Sequence, residues 1–98
     1  MDQSAQIKKY PILLNQAAAH LSEGEKLSSQ GKLSEAEHQY LEALKEYQKL
    51  WELTGSQSYA NAAADCCESL ADLCMQGGNM HGADFYYAQI LRYRNSSL

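Results

Sequence analysis

Gly31 to Leu44, GKLSEAEHQYLEAL, is the stretch that decides the fold. Gly31 is a break; beyond it Leu33, Ala36, Tyr40 and Leu44 step by three or four residues, the spacing that lines one face of an α-helix. Ser34 with Glu37 three residues later reads as a capping box. Working backwards, Leu14, Ala17, Leu21, Gly24 and Leu27 repeat at the same spacing. They run from Pro11, a residue suited to a first helical turn, to Ser28-Ser29-Gln30-Gly31. Working forwards, the second helix continues through Tyr47 and Trp51 to Thr54-Gly55, its expected stop. A third helix follows from about Ser56 or Ser58, with Ala63, Cys67, Leu70 and Cys74 as its apolar stripe, and ends at Gln76-Gly77-Gly78-Asn79. The fourth starts near Asn79 and carries Ala83, Tyr87 and Leu91 before fading at Asn95.

Composition agrees with this pattern. The 98 residues include one proline and six glycines. Valine is absent, and Ile7, Ile12, Ile90 and Thr54 are the only other β-branched residues, so strands have almost nothing to be built from. The expected class is all-α: four helices forming two antiparallel hairpins, since the breaks after the first and third helices are short. One helical domain is expected over residues 11–95, with units at about 11–54 and 56–95. A flexible tail is expected at 1–10 and a frayed end at 96–98.

The two hairpins align on each other. Gly24, Leu27, Gly31, Leu33, Ala36 and Tyr40 correspond to Ala71, Cys74, Gly78, Met80, Ala83 and Tyr87 at a constant offset of 47 (71 − 24, 87 − 40). Small residues recur where paired helices must approach closely. The pattern resembles the tetratricopeptide repeat, Trp-x2-Leu-Gly-x2-Tyr followed by Ala-x3-Phe and Pro over about 34 residues. Gly24, Leu27, Ala36 and Tyr40 carry the resemblance in the first unit; Leu70, Ala71, Cys74, Ala83 and Tyr87 carry it in the second. His20 and Cys67 stand in the tryptophan slots, Glu23 in the first leucine slot, and neither unit has the closing proline. The longer period implies longer connecting helices. The resemblance implies a short α-solenoid whose odd helices line a concave surface, carrying Leu21, Glu25 and Ser28 from the first helix and Asp65, Glu68, Asp72 and Met75 from the third.

Charge and chemistry narrow the function. The net charge is −4, and residues 23–72 hold ten acidic side chains against four lysines. That balance argues against a nucleic-acid surface, which needs clustered cations. No apolar run reaches bilayer length. Lys8-Lys9 before Ile12-Leu13-Leu14 is interrupted by Asn15 and Gln16, so a signal segment is not expected, and three unpaired cysteines fit a reducing, cytoplasmic setting. No nucleophile–base–orienter set or phosphate loop is present, so no catalytic residue and no cofactor is expected. Cys66, Cys67 and Cys74 fit core positions better than a metal site, because adjacent cysteines on a helix point apart and no pinching pair accompanies His81.

The expected role is a non-catalytic interaction module (an adaptor, scaffold or small chaperone-like subunit) that binds a basic or amphipathic protein segment on the acidic wall. A second expected surface is the apolar face Phe85, Tyr86, Ile90 and Tyr93 of the last helix, left uncovered while Ala83, Tyr87 and Leu91 serve its own hairpin. Stacked repeats need about three units or a polar cap, so a partner or a second copy of the chain is expected there, the alternative being that the N-terminal segment folds back over it. The alternative is a self-associating structural dimer; a metal- or thiol-responsive domain ranks third.

Overall fold

The computed structural model describes residues 3–95 and consists of four α-helices: α1 (Gln3–Ser29), α2 (Leu33–Thr54), α3 (Gln57–Gln76) and α4 (Met80–Arg94). No strand occurs among the described residues. The expected fray at 96–98, like Met1 and Asp2, lies outside them. α1 starts at Gln3 rather than at Pro11, so Pro11 stands inside the helix at the cost of one backbone hydrogen bond.

Each helix packs on the next in sequence: α1 on α2, α2 on α3, α3 on α4. Partner numbers run in opposite directions along each pair. Gly24 meets Tyr40 and His20 meets Glu46, while at the other hairpin Gln57 bonds the Tyr93 carbonyl and Met75 meets Tyr87. Both hairpins are therefore antiparallel. α1 makes no comparably extensive contact with α3 or α4. The array is open and slab-like, with extents of 48 × 27 × 14 Å; a closed ring would bring α1 onto α4.

The offset of 47 read from the sequence recurs in three pairs of backbone bonds at the two hairpin turns. Lys32 N–H donates to the Leu27 carbonyl at 3.0 Å, and Asn79 N–H donates to Cys74 at 2.7 Å. Gly31 N–H donates to Ser28, and Gly78 N–H to Met75. Gln30 N–H donates to Lys26, and Gly77 N–H to Leu73. Each turn closes its helix with a six-to-one bond around a left-handed residue, which is why glycine occupies Gly31 (φ 76°) and Gly78 (φ 78°). The starts of the even helices differ. Asn79 accepts from Gly82 N–H at 3.0 Å and caps α4. α2 starts at Leu33 after Lys32 with no side-chain cap, so the expected Ser34–Glu37 box does not form; Ser34 is already inside the first turn.

The core has two connected parts. One holds Ala17, Ala43, Tyr47, Leu50, Cys66, Cys67 and Tyr93 with neighbouring alanines; the other holds Leu27, Ala36, Tyr40, Leu70 and Leu73. Small residues make up much of the core: Ala17, Ala36, Ala43, Ala60, Ala63, Ala64, Ala71 and Ala83 are all fully buried. No polar side chain is buried among the described residues.

Candidate functional site

The acidic row occupies the side of α3 turned away from α2. Asp65, Glu68, Asp72 and Met75 are exposed along one stripe, as the spacing predicts. Its setting differs from the expected one. Arg94, at the end of α4, reaches over and donates to Asp65 at 3.2 Å and to Glu68 at 3.1 Å. About two turns further along α3, the Tyr87 hydroxyl donates to the Met75 sulfur at 3.2 Å. The row therefore adjoins the outer face of α4, and two of its three carboxylates share a cation drawn from a distant part of the sequence. Asp72 has no such partner among the described residues.

The first-helix residues expected on the same wall divide. Leu21 is half-buried and packs against both parts of the core, so it holds the hairpin together rather than lining a surface. Ser28 stands beside the Tyr40 hydroxyl together with Ser69 of α3, and the raised pKa of Cys66, due first to burial and then to Cys67 and Asp65, has a last contribution from the charge of the exposed Glu25. α1 and α3 thus flank each other, with a cleft of about 400 Å³ between Leu14, Tyr47, Ser58 and Tyr59.

The last helix is turned about its axis relative to the expected phase. Tyr93 is 7% exposed and meets Trp51 edge-to-face at 5.5 Å between ring centroids. Tyr86 and Ile90 are half-buried against the core. Of the expected free face, Phe85 alone is exposed, at 58%. The free stripe is the one assigned to the hairpin interior: Tyr87 is 43% and Leu91 63% exposed, while Ala83 alone points in. Tyr87 and Leu91 stand at the positions of Tyr40 and Leu44 on α2 (87 − 40, 91 − 44). There α3 covers the surface; after α4 the described chain provides no further helix to do so. The sequence signal was present in that offset, since a terminal unit exposes what an internal unit buries.

Two residue sets thus meet at the end of the array: the apolar Met75, Met80, Tyr87 and Leu91, and the acidic Asp65, Glu68, Asp72 and Asp84 around them. On another side lies a cleft of about 320 Å³ between α2 and α4, with Trp51, Phe85, Tyr86 and Tyr93 as walls. Gln48, Gln89 and Arg92 stand at its rim. Burial raises the pKa of the Tyr86 and Tyr93 hydroxyls, which remain neutral well into the alkaline range.

The cysteines belong to the core. Cys66 and Cys67 are fully buried and Cys74 is nearly so. Burial, reinforced for Cys66 by Cys67 and the Asp65 charge, pushes the Cys66 thiol up to about 12; burial pushes Cys67 up to about 11. Among the described residues no three His, Cys, Asp or Glu side chains converge as metal ligands, and no helix is long and apolar enough to cross a membrane. A pH dependence follows. In the unfolded chain these thiols ionise near their ordinary 9.0, while the folded chain keeps them protonated, so their contribution to stability is complete below about pH 9 and lost as pH rises toward 12. Denaturation midpoints should fall over that window, and Cys66→Ser with Cys67→Ser should flatten the decline. At pH 8 the native thiols should resist a thiol reagent that labels the unfolded chain at once.

The chain matches no protein-family model, no curated protein sequence and no solved structure. The tetratricopeptide resemblance therefore rests on the residues quoted above alone.

Proposed function

We propose that the protein is a tetratricopeptide-like, non-catalytic interaction module whose docking surface is the open end of the helix array. The observation that carries this reading is the exposed apolar stripe Met75, Met80, Tyr87 and Leu91, set within a rim of carboxylates. A stripe on a helix face, repeating the α2 positions that α3 covers, suits a further helix laid alongside. The acidic rim suits an occupant whose polar side is basic, and it steers the encounter as well as strengthening it. Asp72 and Asp84 provide unpaired charge, while Arg94 can exchange its two carboxylates for a partner's lysine or arginine. This keeps the basic or amphipathic protein segment expected from the sequence and moves its site from a concave wall to the end of the stack.

The test is titration with a helical peptide carrying leucines on one face and lysines on the other. Binding should weaken with added salt, and should fall about tenfold or more in Tyr87→Ala with Leu91→Ala, and in Glu68→Lys with Asp72→Lys, with helicity unchanged. Affinity indifferent to both double substitutions would overturn the reading. Light scattering of the pure chain separates it from the structural alternative: a stable dimer that dissociates in Leu91→Glu, and binds no peptide, makes the open end a self-association surface.

A further inference from the structure

The cleft between α2 and α4 lies on the opposite flank of α4 from Tyr87 and Leu91, and its chemistry differs from that of the open end. Its walls are ring faces and edges (Trp51, Phe85, Tyr86, Tyr93), and its volume of about 320 Å³ suits one large apolar side chain rather than a whole helix. The rim carries donors. Arg92 donates to Gln89 Oε1 at 3.1 Å, and none of the described carboxylates lies within ion-pair distance of its guanidinium. Glu52 is the nearby acidic group, acting on Tyr93 alongside Arg92. In a chain of net charge −4, a cation without a carboxylate partner, beside two side-chain amides and above an aromatic cleft, is placed to receive an anion.

We infer that this cleft is a binding site for an acidic peptide segment, taking one leucine or aromatic side chain between the rings and an adjacent carboxylate on Arg92. The rings supply contact area with few rotors to freeze, and the guanidinium fork supplies paired, charge-assisted hydrogen bonds. Gln48 and Gln89 offer amide donors and acceptors to the segment's backbone. The site goes beyond the open-end reading: it selects the opposite charge, on a different face.

Trp51 is the single tryptophan of the chain and lies in the cleft, so its emission reports occupancy directly. The probe is a blocked peptide with one leucine flanked by two glutamates, compared with the same peptide bearing lysines. The expected result is a saturable change in Trp51 emission with the glutamate peptide and a response at least tenfold weaker with the lysine peptide. Arg92→Gln should weaken the glutamate peptide about tenfold or more, and Phe85→Ala should weaken it too; both residues are exposed, so circular dichroism should be unchanged. Asp72→Lys, at the open end, should leave the titration within twofold, which keeps failure here distinct from failure there. No saturable change, an equal response to the lysine peptide, or an unaltered titration in Arg92→Gln would each overturn the inference.

Discussion

Leu70→Ala should cost about 2–5 kcal/mol of folding free energy, the range for truncating a fully buried leucine. For a domain of this size that lowers the melting temperature by at least roughly 10 °C. Leu70 has no exposed surface and packs in one cluster with Leu27 of α1, Ala36 and Tyr40 of α2 and Leu73 of α3. The cavity would open where three helices meet, and a single helix cannot shift to fill it without leaving its other neighbour. Leu91→Ala is the comparison. It removes the same atoms from a side chain that is 63% exposed, so its expected cost is within about 0.5 kcal/mol. Urea unfolding should show a lower midpoint for Leu70→Ala with an unchanged slope, and an unshifted midpoint for Leu91→Ala. Equal costs would mean that the two leucines do not occupy these positions.

That contrast marks how far the sequence could be read. Helix number, order and hairpin pairing were legible, because Gly31 and Gly78 interrupt helical periodicities that persist on both sides and the interruptions recur 47 residues apart. The phase of α4 was not. Ala83, Phe85, Tyr86, Tyr87, Ala88, Ile90, Leu91 and Tyr93 put apolar groups on every side of that helix, so two stripes competed with equal right. Contacts distant in sequence decide between them. Trp51 of α2 receives the Tyr93 ring, and Gln57 at the start of α3 donates to the Tyr93 carbonyl at 2.9 Å, which holds the end of α4 with Tyr93 inward. The acidic row was legible as a row, but Arg94 as its counter-charge was not, since it lies 26 residues beyond Glu68 on another helix. The α2–α4 cleft is illegible in the sequence for the same reason: Trp51 and Arg92 form one site only once α3 has brought their helices side by side.

The second large effect is at Gly24, where the equivalent position of the second hairpin holds Ala71. A Cβ built there would lie 2.8 Å from the Tyr40 Cδ1 and Cε1 atoms, closer than a carbon side chain can approach a ring. Tyr40 cannot easily yield. It is 4% exposed, packs with Leu27, Ala36, Leu70 and Leu73, and has Ser28 and Ser69 beside its hydroxyl. Gly24→Ala gains about 1 kcal/mol of helix propensity and still should destabilise, because overpacking costs about 1–3 kcal/mol. Gly24→Val, which adds a branch against the same ring and a weaker helix propensity, should cost about 2–3 kcal/mol and expose Tyr40. The equivalent site of the second hairpin already holds Ala71, fully buried, and there the equivalent Tyr87 lies on the surface against Met75. In that hairpin the reverse change, Ala71→Gly, should also destabilise, through the lost methyl and the freer backbone. Opposite substitutions at equivalent positions therefore both lose stability. In a Tyr40→Leu background the penalty of Gly24→Ala should shrink or change sign, since rotatable methyls can move off the new Cβ where a ring face cannot. A double-mutant cycle returning no coupling between positions 24 and 40 would show that the ring does not rest on that glycine.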